Sequence, residues 1–339
     1  MSAMHPRKQW VPFDNFYGVE YIAKGGFSRI YKGTWENKID YSTRWQRWKK
    51  QQQVVLKVLN NSQNVDTEFL NELKLTYQFK SKFVIKCHGV TQDPKTKNYA
   101  LILKYAQDGN LHHYLSKNFE ELTWIRKILL FKDIVSGIKE LHKKEINIKP
   151  QMYGVIPYMA PELFKEEPYT FASDIYSLGM ITWELTTGHK PFHDQEHGPI
   201  LILDILDGKR PEITKDTPEY WKNLMEKCWH SDPSQRPTID EIIKLFDRCN
   251  YAEVHIKEYY SEIYDIWPEY KEAEKKRLEM INTKTPFTNN PGYEHQNSKY
   301  YSVSLDSMLE SINLLIQQIT ARKWRFAQSN SHPMFRKAE

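Results

Sequence analysis

Residues 17–58 alternate apolar and polar positions with glycines between, the pattern of half-buried strands. YGVEYIAKGG and FSRIYKGTWE read as two strands joined by a glycine-bearing turn. QVVLKVLN reads as a third, with Lys57 set among its apolar residues. Between them 36–53, ENKIDYSTRWQRWKKQQQ, is polar and basic and suits an exposed hairpin loop. Residues 66–79 have helical spacing at Phe69, Leu73 and Tyr77, with Asp66 placed to cap the start. FVIKCHGVTQ and YALILKYA add two strands around the turn DPKTKN. The pattern up to residue 106 therefore predicts a small antiparallel sheet with one helix.

From 111 onward the period lengthens. Phe131, Ile134, Val135, Ile138 and Leu141 line one face of 125–143, and Ile175, Leu178, Ile181 and Leu185 line 173–187, with Gly188 as C-cap. Thr238 and Glu241 form a capping box that opens a helix through Phe246. After about 250 the chain turns polar, charged and aperiodic, which predicts a largely disordered, linker-like tail. Within it, Leu305, Met308, Leu309, Ile312, Leu315 and Ile319 share a stripe, so an amphipathic docking helix is expected over 304–322.

Composition changes this picture little. The 339 residues are 40% hydrophobic and 27% charged, enough for a real core under an ordinary surface. A net charge of +5 does not by itself point to nucleic acid. Cys87, Cys228 and Cys249 are odd in number, widely spaced and form no zinc pattern, so they read as reduced thiols of an intracellular protein. The N-terminus has no apolar signal-peptide core and no run is long enough to span a membrane. The expected address is the cytoplasm, with the nucleus left open.

Several stretches carry candidate chemistry. In IAKGGFSRIYKG at 22–33, glycine would let backbone N–H groups approach phosphates; an ordinary hairpin explains the turn equally well. Against the pattern G-x-G-x-x-G-x-V, Ala23 stands at the first glycine, Gly25 at the second, Ser28 at the third and Ile30 at the valine. Lys57, inside an apolar strand, needs an acid or an anion, and Glu72 on the following helix has the spacing for an ion pair. A purely structural salt bridge is the plainer alternative. LILKYA at 101–106 could offer its main chain to an adenine edge or simply end a strand. RWQRWKK at 44–50 interleaves cations with two tryptophans, which suits phosphate contact and base stacking, although a solvated insertion is the favoured reading.

Three further blocks decide the family. APE at 160–162, SDIYSLGMITWELTTGHKPF at 173–192 and CWHSDPSQRPT at 228–238 closely resemble, in order and spacing, the C-lobe of eukaryotic protein kinases. The last block and VIPYMAPE are similar to the tyrosine-kinase-like group, which mostly acts on Ser/Thr. The resemblance covers 16–249 and implies an α+β bilobal fold: an N-lobe over 16–106, a mainly helical C-lobe over 107–249, then the tail over 250–339. It also implies roles. Ile22, Ala23, Lys24, Gly25, Gly26, Phe27, Ser28 and Ile30 would form the nucleotide-covering loop. Lys57 would grip the α/β-phosphates of ATP and Glu72 would hold Lys57. Leu103 would be the gatekeeper and Lys104, Tyr105 and Ala106 the hinge facing adenine. Glu162 and Arg236 would form a buried structural ion pair. Asp174 would hold the catalytic-loop backbone from below.

The same resemblance exposes a gap. A kinase carries H-R-D-x-x-x-x-N and D-F-G between the helix ending in Leu141–His142 and APE. Here no Asp occurs between Asp133 and Asp174, and only 143–152 separate the two flanks. NIKPQM at 147–152 can be laid on a catalytic loop only with Asn147 at the Asp and Met152 at the Asn, which restores neither base nor metal ligand. No catalytic residue is therefore assigned. The strands that floor the cleft are expected to be missing, ATP contact to be weak, and magnesium binding is in doubt. The favoured reading is a kinase-family pseudokinase acting as an interaction module on protein partners, not nucleic acid or membrane. Two others stay open: an active kinase whose catalytic segment is absent from this chain through splicing or a gene-model error, and a basic-loop binder of nucleic acid or acidic surfaces.

Overall fold

The computed structural model describes residues 10–38, 49–63, 81–143, 153–246, 268–289, 291–304 and 306–312. The expected helix over 66–79, with Asp66 and Glu72, and the first part of RWQRWKK lie outside the described residues.

Five strands form one antiparallel sheet: β1 (Phe16–Lys24), β2 (Ser28–Lys38), β3 (Lys49–Leu59), β4 (Cys87–Gln92) and β5 (Tyr99–Lys104), in the order β1-β2-β3-β5-β4. Period two sorts β3. Val54, Leu56 and Val58 point to one face and pack with Phe16, Trp35, Ala100 and Ile102. Leu59 points to the other, with Cys87, Val90 and Leu101. Lys57 lies on this second face, paired across the ladder with Ile30 and Leu101. The expected loop over 36–53 is shorter than its polarity suggests. The β2–β3 ladder continues through Glu36↔Gln51 to Lys38↔Lys49, because backbone pairing in a long hairpin needs no apolar side chains.

The helical lobe is built from α1 (Leu111–Asn118), α2 (Trp124–His142), α3 (Phe171–Thr187), α4 (Pro199–Leu206), α5 (Glu219–Cys228) and α6 (Ile239–Phe246). Asn110 and Thr123 cap α1 and α2 by accepting from the N–H groups of His113 and Arg126. Thr238 and Glu241 exchange bonds at the start of α6, as the capping-box spacing predicts. α3 runs through the middle of the lobe, with Ile175, Tyr176, Leu178, Met180 and Leu185 at 2% exposure or less. Gly188 ends it in the left-handed region at φ 75° and donates to the Glu184 carbonyl at 2.8 Å. Trp221 sits edge-on to Trp124 and Phe131 and donates from Nε1 to Thr186 Oγ1 at 2.9 Å.

The tail departs from the linker that its composition suggests. Helix α7 (Pro268–Asn282) buries Tyr270, Ala273 and Arg277 against the helical lobe. Glu274 accepts from the Trp124 N–H at the start of α2, and Arg277 pairs with Glu274 while donating to the Glu120 carbonyl. Residues 306–312 are helical within the stripe expected over 304–322, and Met308 and Ile312 enter the main core. Just before APE a two-residue strand, β6 (Tyr153–Gly154), pairs antiparallel with β7 (Val303–Ser304) of the tail. A few apolar residues at helical spacing suffice to dock this segment, and the many charges around them conceal the pattern.

Candidate nucleotide cleft

The turn between β1 and β2 spans Gly25, Gly26 and Phe27, closed by the Gly25 N–H donating to the Ser28 carbonyl at 2.8 Å. Ala23 pairs with Ile30 and Lys24 with Arg29, after an irregularity between Tyr21 and Ala23 that twists the end of the hairpin. Ile22 and Phe27 are about half exposed, whereas Ser28 is buried. The Asn60 N–H donates to the Phe27 carbonyl and ties the turn to the end of β3. Lys57 is half-buried and directly opposite Ile30 in the β2–β3 ladder. Its expected partner Glu72 lies outside the described residues. Leu103 faces the Cys87–Leu101 cluster, the Lys104 N–H donates to the Lys86 carbonyl, and Tyr105 and Ala106 leave the sheet there. Lys32 lies over the Tyr105 ring at 4.7 Å.

Two groups from below meet the turn. The Tyr153 ring lies 4.1 Å from that of Phe27. The Ser302 carbonyl lies so close to Gly26 that a methyl group there would overlap its oxygen. Tyr153 opens β6 and Ser302 immediately precedes β7, so the β6–β7 pair brings both contacts to the turn.

Asp174, in the first turn of α3, is engaged by side chains. Its Oδ2 accepts from the Tyr169 hydroxyl and from His142 Nε2, the latter at 2.9 Å. His142 stacks on Phe171 with ring centres 4.1 Å apart. Burial and the Asp174 charge hold the Tyr169 phenol far above its ordinary value, so it stays a donor. The kinase resemblance implies that Asp174 holds a catalytic-loop backbone; among the described residues it meets His142, at the end of α2, and Tyr169.

Glu162 and Arg236 meet in a two-pronged pair, Nη1–Oε1 and Nη2–Oε2 both at 2.7 Å. Ser173 donates to Glu162 Oε1, and Arg236 also donates to the Ala172 and His230 carbonyls. Burial alone would raise the Glu162 pKa; the bonds from Arg236 and Ser173 outweigh it and hold the carboxyl below its usual range.

A family model for protein tyrosine and serine/threonine kinases matches residues 18–149 and 147–246, well over half of the chain. The chain therefore belongs to the protein kinase family. A probable serine/threonine-protein kinase of Dictyostelium discoideum is 24% identical over 292 residues, covering 71% of this chain and 16% of that protein. Receptor-interacting serine/threonine-protein kinase 4 of Mus musculus is 24% identical over 294 residues, covering 72% and 35%. Dual specificity protein kinase splA of Dictyostelium discoideum is 36% identical over 122 residues, covering 36% and 5%. The matched part is thus a minor share of each relative's length. Sequence reasoning missed Ser302, Val303 and His142 as cleft residues. Only the stripe through Met308 and Ile312 hinted that the tail returns to the lobe.

Proposed function

We propose that this chain is a catalytically silent member of the kinase family, a pseudokinase that serves as an interaction module for protein partners. The reading rests on one observation: no Asp lies between Asp133 and Asp174, where the family carries its proton acceptor and metal ligands. Without them the turn and Lys57 could orient a nucleotide but not stabilise the charge of a transferring phosphoryl group. The fit to ATP and magnesium is poor on the cleft side as well, since Tyr153 and the Ser302 carbonyl stand under the turn where phosphates would lie.

A γ-phosphate transfer assay with Mg²⁺ or Mn²⁺ and a general protein substrate tests this. The expected result is no transfer above background. Transfer that disappears in Lys57→Met would overturn the proposal and restore the reading of an active serine/threonine kinase.

A further inference from the structure

We infer that Ser302, held by the tail strap 295–304, is a built-in occupant of the nucleotide cleft beneath the β1–β2 turn, and that it and nucleotide phosphate exclude each other there. The strap is fastened along its length. His197 accepts the Lys299 N–H on Nδ1 at 2.9 Å and donates from Nε2 to the Phe192 carbonyl at 2.9 Å, while its own backbone N–H donates to the Asn297 carbonyl. The Tyr300 hydroxyl donates to the Pro191 carbonyl, and its ring lies under the Lys190 ammonium at 4.3 Å. Val303 packs on the helical core and pairs with Gly154. Met308 and Ile312 anchor the following helical residues in the core. Ser302, held between these fixings, presses its carbonyl on Gly26.

The chemistry of that contact opposes phosphate. A phosphate beneath such a turn needs convergent N–H donors. The strap presents a carbonyl oxygen, the negative end of its dipole, at the same place. Gly26 has no positive φ, so its backbone would accept a side chain, and the obstacle is Ser302 itself. Gly26 is thus a position where a close approach from the tail, not turn geometry, requires the missing Cβ.

Two measurements on the full chain test this. The first is amide hydrogen exchange. Residues 302–304 are expected to exchange slowly in the native chain and about tenfold faster in Gly26→Ala, whose methyl displaces Ser302. Gly292→Ala, which meets nothing within 4 Å, should leave them unchanged. Fast exchange in the native chain, or none gained in Gly26→Ala, overturns the inference. The second is titration with a fluorescent ADP analogue. Tyr300→Ala/Val303→Asp, its cooperative melt checked first, is expected to bind at least tenfold tighter than the native chain. No gain in binding while exchange shows the strap released overturns the inference. If the doublet does not fold, Tyr300→Ala alone takes its place in the titration, with the same gain expected and the same overturning result. Phosphoryl transfer by the released variant would instead sink the proposed silence and leave the strap standing, so the two failures are distinct.

Discussion

Arg236 has side-chain exposure of 0% and spends its donors on Glu162 and on carbonyls from two segments. Removing one partner leaves the other charge buried and unpaired, so Arg236→Ala is expected to cost about 3–5 kcal/mol in urea unfolding. The depressed Glu162 pKa gives a second outcome. Its stabilisation is fully present above the unfolded-state value, roughly 4.3, and is lost as pH falls through the lower folded value. The acid limb of the stability curve should therefore flatten in Glu162→Gln. Lys127, whose pKa is also lowered, moves stability in the same direction, at alkaline pH. Completely buried, donating to the Thr186 carbonyl and lying over the Phe119 and Trp124 rings, it is brought down by burial to about 8. Between that value and the unfolded lysine pKa, roughly 10.4, only the unfolded chain holds the proton, so stability should rise with pH there. Lys127→Met should abolish that rise, read from urea midpoints between pH 8 and pH 10.

Element ends were the easiest part to read. Gly188 closes α3 in the left-handed region, and a methyl there would also stand 2.6 Å from the Phe119 ring. Gly188→Ala is expected to lower stability by at least about 1–2 kcal/mol from backbone strain alone, read as a fall in melting temperature. The strap has its own titration. Burial holds His197 below the ordinary imidazole value against its backbone hydrogen bonds, while the charges of Glu294 and Lys190 act on it in opposite directions. Between that lowered value and roughly 6.5 only the unfolded chain takes the proton. Stability should fall as pH drops through that window, and His197→Gln should lose that dependence.

At the scale of the molecule, one continuous core joins Leu115 of α1 to Ile312 of the tail. The tail is therefore part of the lobe's packing. Ile312→Ala is expected to cost about 2–5 kcal/mol, with a single cooperative melt retained; an unchanged melting temperature would mean the helical lobe stands without its tail. Two places on the cleft side are covered from within the chain, Asp174 and the underside of the turn. His142 and Tyr169 meet the first, and Tyr153 and Ser302 the second.

What the sequence determined by itself was local or carried by family motifs. Period two placed Lys57 on the face opposite Leu56 and Val58, because strand geometry fixes alternation whatever the rest of the chain does. Caps at Thr238 and Gly188 were legible because each satisfies backbone groups within a few residues. Glu162 and Arg236, 74 residues apart, were linked only through the kinase resemblance. Tertiary structure decided the rest. That β2 and β3 pair out to Lys38 and Lys49 follows from a ladder that polar side chains neither require nor forbid. The return of 268–312 to the lobe rests on Tyr270, Ala273, Met308 and Ile312, too sparse among charges to stand out along the chain. Only the fold could bring Ser302 to Gly26, since a contact across 276 residues leaves no periodic trace in either segment.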